Sequence, residues 1–167
     1  MTRERVDEML KAYRFELGRC GHLAAEIQIK QRQLDAERRD FVETLAAPKP
    51  QQITDMPRGT TMSNPTERIG GMLADGYRSP EYRAIEGQIA EMEAELNQRS
   101  DVVMHVQAWL SGLPQREKLI IECQVIDGVY WRDVAKRYRQ TFEEDVSKDT
   151  LKRLRDRAMD MIYKMAE

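Results

Sequence analysis

Aromatic residues are scarce in this 167-residue chain, at 7%, and long apolar runs are missing. The first shortage argues against one large globular core. The second leaves nothing near the roughly 18 consecutive apolar residues of a membrane span, so no membrane association is expected. The opening Met1-Thr2-Arg3-Glu4-Arg5 has no apolar signal core, and the expected location is the cytoplasm. The two cysteines, Cys20 and Cys123, are too far apart for any metal-ligand spacing and read as reduced thiols. A phosphate-binding glycine loop is also lacking, because Gly70-Gly71 fits neither the P-loop nor the dinucleotide spacing. His22 and His105 each stand alone on a predicted helix. No catalytic constellation emerges, so neither an enzyme, a metal nor a cofactor is expected. An excess of one charge is absent too. With 27 basic and 29 acidic residues the net charge is -2, which confines any nucleic-acid surface to a local patch.

What is present is helical patterning. Charged residues make up 34% of the chain and hydrophobic residues 41%, a balance that suits solvent-washed helices. From Val6 to Leu45 no proline intervenes, and a seam with alternating steps of four and three runs along the segment. It comprises Val6, Leu10, Tyr13, Leu17, Cys20, Ala24, Ile27, Gln31, Leu34, Arg38, Phe41 and Leu45. This spacing keeps one stripe on one side of a helix of about 60 Å, and that stripe needs a covering helix. A second seam contains Tyr82, Ile85, Ile89, Met92, Leu96, Arg99, Val103, Val106 and Leu110, introduced by Ser79-Pro80-Glu81 as cap and first turn. Between them Pro48, Pro50, Pro57 and Pro65 with Gly59, Gly70, Gly71 and Gly76 predict an irregular linker. Asn64-Pro65 within it predicts a short helix through Leu73.

The expected architecture is therefore all-α: a coiled-coil-like stem over 1–111 (helix 5–46, linker 47–79, helix 80–111), then a separate domain over 112–167. Intramolecular and intermolecular pairing of the seams both remain open. A bare two-helix stem is thin, so homo-oligomerisation is expected through Leu10, Leu17, Ile27, Leu34, Ile85, Ile89, Met92 and Leu96.

The last segment predicts three helices. Pro114-Gln115-Arg116-Glu117 opens the first and Asp127-Gly128 stops it. The second spans 130–138, with Trp131, Val134, Ala135 and Tyr138 on one face. The third begins at the N-cap Ser147 and should bury Leu151, Leu154, Ala158, Met161, Ile162 and Met165. From Ser147 to Lys164 six basic residues (148, 152, 153, 155, 157, 164) face three aspartates (149, 156, 160), a local +3 in an acidic chain. A helix-turn-helix would carry the first turns of this helix, with Lys148, Asp149, Lys152 and Arg153, into the major groove, where Lys148 and Lys152 favour phosphate or guanine. Arg153 suits guanine and Asp149 suits cytosine N4. Arg155, Arg157, Arg132 and Arg137 are assigned to phosphates.

Leu113-Pro114-Gln115-Arg116-Glu117-Lys118-Leu119-Ile120-Ile121, Asp127 to Ala135, and Ser147-Lys148-Asp149-Thr150-Leu151-Lys152-Arg153-Leu154-Arg155 resemble the sigma-70 region 4 type of helix-turn-helix. The resemblance implies that the third stretch is a recognition helix for promoter DNA. Two departures stand out: Tyr130 replaces a small capping residue, and Arg139 to Val146 form an enlarged acidic turn. The whole layout, including Asp55-Met56-Pro57-Arg58-Gly59, is similar to phage late-transcription regulators of the RinA and ArpU kind. That implies a double-stranded-DNA-binding activator of phage late or packaging genes. The alternatives are a scaffold whose module binds RNA polymerase or another protein, and an oligomeric phage DNA-packaging component.

Overall fold

The computed structural model describes residues 1–46, 70–71 and 78–167, and every regular element among them is helical, as the all-α reading requires. Helix α1 is Arg3–Ala46 and α2 is Pro80–Ser111. Helix α3, Gln115–Ile120, continues into a π-helical turn, Ile121–Ile126. Helix α4 is Trp131–Phe142 and α5 is Lys148–Ala166. The linker expectation, with its short helix to Leu73 and the stretch Asp55 to Gly59, falls outside the described residues except at helical Gly70 and Gly71 and at Arg78 and Ser79. No helix among the described residues is long and apolar enough to cross a membrane.

Two compact units make up the chain. One joins Met1–Leu23 to Glu95–Glu167, and the other is Ala24–Ala94. The division cuts through α1 and α2 instead of falling at residue 112. The first unit shows why. Val6, Met9, Leu10 and Tyr13 of α1 share a core with Val103, Val106, Trp109 and Leu110 of α2. Leu113, Ile121, Ile126, Ala158 and Ile162 complete that same core, so the first turns of α1 cover the back of α5. Leu10, Val106, Ile121 and Ile162 are fully buried, each contributing about 1.5–3 kcal/mol relative to exposure.

Polar contacts set the pairing in this unit. Arg99 Nη1 donates to Glu16 Oε2 at 2.8 Å, and Arg19 Nε donates to Glu95 Oε1 at 3.2 Å. Nearer the module, Gln107 Nε2 donates to the Tyr13 hydroxyl at 3.4 Å. Rising numbers on α1 meet falling numbers on α2, so the helices pair antiparallel within one chain.

The π-helical turn has a packing reason. Residues five apart fall on nearly the same side of a π-helix, whose hydrogen bonds run over five residues. Ile121 and Ile126 can therefore both enter the first core while Ile120 and Cys123 enter a second one. The turn ends at Gly128, whose φ of +64° is the left-handed conformation that glycine adopts without strain.

In the second unit, Ile27 and Ile89 are buried at 7% and 8% exposure. Ser79 Oγ accepts from Tyr82 N at 3.0 Å, capping α2 as predicted, and donates to Glu37 Oε1 of α1 at 3.0 Å.

Every member of the α2 seam is buried or half-buried. On α1 one of the two expected rows is covered throughout, and the other only at its start, at Leu10. Tyr13, Cys20, Ile27, Leu34 and Phe41 face inward, but Leu17, Ala24, Gln31 and Arg38 are exposed. The inward companions are Glu16, Leu23, Lys30 and Glu37, one position earlier in each turn. Leu17 therefore leaves the packing seam. Its neighbour Glu16 takes the inward place because Arg99 satisfies its carboxylate.

Candidate nucleic-acid interface

Helices α4 and α5, joined by a short turn, pack around the second core. Val134, Tyr138 and Leu151 are buried there with Ile120 and Cys123, and Trp131, Ala135 and Leu154 pack at the margin. The four α4 residues predicted to share a face all line this core.

The turn is shorter than expected. Nothing in Arg139 to Phe142 breaks a helix, and Phe142 packs on the Tyr138 ring with centroids 4.8 Å apart. Helix α4 consequently runs to Phe142 instead of stopping at 138, and Glu143 closes it with a φ of 55°. Only Glu143 to Val146 remain between that end and the cap Ser147. Two of the three carboxylates of this turn are engaged within the chain. Arg116 of α3 holds Glu144 at 2.7 Å, and Arg139 lies 3.4 Å from Asp145. Tyr130, at the N-cap of α4, makes no side-chain cap bond and is 82% exposed.

At the start of α5, Ser147 Oγ accepts from Thr150 N at 3.2 Å, the cap that the sequence predicts. Leu151, Ala158 and Ile162 are buried beneath the helix and Leu154 and Met161 are half-buried. Met165 instead stays 43% exposed, near the end of the helix. On the outer side of the first two turns Lys148, Asp149, Lys152 and Arg153 are exposed. None of the four makes an ion pair or side-chain hydrogen bond among the described residues. Three cationic donors and one carboxylate acceptor thus stand beside the positive end of the helix dipole. Two turns further on, exposed Asp156 and Asp160 reverse the charge of the same side.

The four arginines assigned to phosphates have separate surroundings. Arg155 is only 32% exposed, lies over the Trp131 ring at 5.6 Å and pairs with Asp156 at 2.5 Å. Arg157 is 70% exposed and lies 3.9 Å from the carboxylate of Glu117, which is itself 7% exposed. Arg137 donates to Cys123 Sγ at 3.6 Å. Arg132 is 92% exposed, 3.7 Å from Asp133. The structure therefore gathers Lys148, Asp149, Lys152 and Arg153 on one accessible surface and gives Arg155 and Arg157 partners inside the fold.

Two contributors were not singled out from the sequence. Glu117 sits three and four residues before the buried Ile120 and Ile121, a spacing that puts it on the inner face of α3. Exposed Lys136 adds a further cation to α4. No family model, curated protein or solved structure matches this chain.

Proposed function

We propose that this chain is a sequence-specific DNA-binding transcriptional regulator whose recognition helix is α5. The observation that supports this best is the set of four exposed, unpartnered side chains on the capped first turns of α5, braced from behind by α4. In this reading Arg153 and Asp149 read guanine and cytosine edges, while Lys148 and Lys152 supply charge. Asp156 and Asp160 restrict groove entry to the first two turns, because carboxylates further along would meet phosphate. Arg132 and Arg157, the more exposed flanking arginines, contact the backbone.

The resemblance to phage late-transcription regulators extends the proposal to an activator of phage late or packaging genes, acting with RNA polymerase. Assembly of two or more copies belongs to the same proposal. Its support is apolar surface that intramolecular pairing leaves open on α1, with Phe15 68% and Leu17 37% exposed. A dimer would present two recognition helices to two half-sites.

An unbiased selection of duplex fragments, followed by titration at several salt concentrations, tests the reading. The expected result is enrichment of one sequence and a linear fall of log K with log salt. Recovery of no enriched sequence would favour a protein-binding role for the module.

A further inference from the structure

We infer that Asp156 sets the DNA affinity of this module by holding Arg155 away from phosphate. The inference rests on the DNA-binding reading above and concerns how strongly that surface binds. Arginines in a recognition helix ordinarily add phosphate contacts, each making affinity more salt-dependent. Arg155 differs from Lys148, Lys152 and Arg153 in three respects. Both its Nε and its Nη2 donate to one carboxylate oxygen of Asp156, at 2.9 and 2.5 Å. Its guanidinium lies over the face of Trp131, where the ring quadrupole attracts a cation. And its side chain lines a groove between α1 and α5 with Asp7, Asp156 and Asp160, three carboxylates against the two cations Arg155 and Lys11, a balance that favours a cation over a phosphate.

An exposed ion pair alone is weak. Here pair, ring and groove act on the same guanidinium, and a phosphate must compete with all three. Adjacent positions on a helix do not face one another, so this pair depends on the reach of the long Arg155 side chain. Asp156 therefore acts in two ways: it carries a negative charge near the duplex, and it removes one positive charge from the contact set. The second effect passes through Arg155, which makes Asp156 a positioning residue and lets the two effects be separated.

The experiment uses the full chain and a random-sequence duplex, titrated from 50 to 200 mM salt. Four proteins are compared: the parent, Asp156→Ala, Arg155→Met and the double variant. Methionine keeps an unbranched stem against Trp131, and alanine favours helix at the exposed position 156, so all four are expected to fold; thermal melts check this. The expected result is that Asp156→Ala tightens binding at low salt and steepens the log–log slope by about 0.9, one extra phosphate. Over this fourfold range of salt that slope change corresponds to about a three- to fourfold larger loss of affinity. Arg155→Met alone should leave the parental slope unchanged, and the double variant should show that slope too. Two results overturn the inference: a flatter slope for Arg155→Met alone, or equal steepening by Asp156→Ala whether residue 155 is arginine or methionine. A parent that binds no duplex at any salt overturns the DNA-binding reading itself, and this inference with it.

Discussion

Tyr163, in the last turns of α5, donates a 2.8 Å hydrogen bond to Asp7 Oδ1 in the second turn of α1. Arg3 lies over the same ring at 4.9 Å, and Arg14 of α1 holds Asp127 beyond the π-helical turn at 2.8 Å. These contacts fasten the first turns of α1 to α5 and to the end of the π-helical turn around a shared apolar core.

That fastening has a pH signature. Burial, reinforced by the Asp7 hydrogen bond, pushes the Tyr163 phenol up to about 12 from its usual 10. The folded state favours the protonated phenol, so its stabilisation is complete below pH 10 and is lost as pH rises from 10 towards 12. Ultraviolet titration of the intact chain should show a late-ionising component that belongs to Tyr163. Tyr163→Phe should remove that late component and lower stability at neutral pH by about 1 kcal/mol.

If α1 completes the core under α5, residues 112–167 should not fold as a stable unit alone. Leu10→Ala, far from the turn, should cost about 2–5 kcal/mol and speed amide exchange in α5. An isolated 112–167 fragment with cooperative melting and full helicity would show that the module is self-sufficient.

Glu117 gives Arg157 a second task. Arg157→Ala should lower stability by about 1 kcal/mol, since the partner is buried but the guanidinium is exposed. Adding Glu117→Gln should recover most of that loss. The duplex-binding defect of Arg157→Ala, an about 0.9 smaller salt slope on cognate and random duplexes alike, should persist in the double variant. Recovery of both properties together would assign Arg157 to the fold alone.

Self-association is checked by sedimentation. The parent should sediment as more than one copy, and Phe15→Glu should shift it towards the 19.5 kDa monomer without loss of helicity. A folded parent that sediments as a concentration-independent monomer removes the oligomer from the proposal. Ile27→Asp with Ile89→Asp should unfold the second unit instead, because both side chains are buried there.

The helices were legible in the sequence wherever apolar spacing or a cap defined them. The α2 seam, the Ser79 and Ser147 caps and the Gly128 stop all lie where pattern places them. Half of the α1 seam was not legible, because Glu16 and Glu37 look like solvent residues until their partners Arg99 and Ser79 are known. Three and four residues along, an apolar count prefers Leu17 to Glu16, whereas the fold prefers whichever side chain finds a partner. The length of α4 was misread for a related reason: Phe142 continues the helix through its contact with Tyr138. At the candidate interface, charge drew attention to α5 but could not separate free from occupied arginines. Arg155 and Arg157 differ from Arg153 in having Trp131, Asp156 and Glu117 beside them, and only the folded chain brings Trp131 and Glu117 there.

The central claim is that the first turns of α5 read base edges, and Arg153→Ala tests it most directly. Its affinity should be measured on the selected duplex and on a random one, beside the parent and with helicity confirmed. The account predicts about 1 to 3 kcal/mol weaker binding to the selected duplex and unchanged binding to the random one. A folded Arg153→Ala protein that binds the selected duplex as tightly as the parent would contradict it.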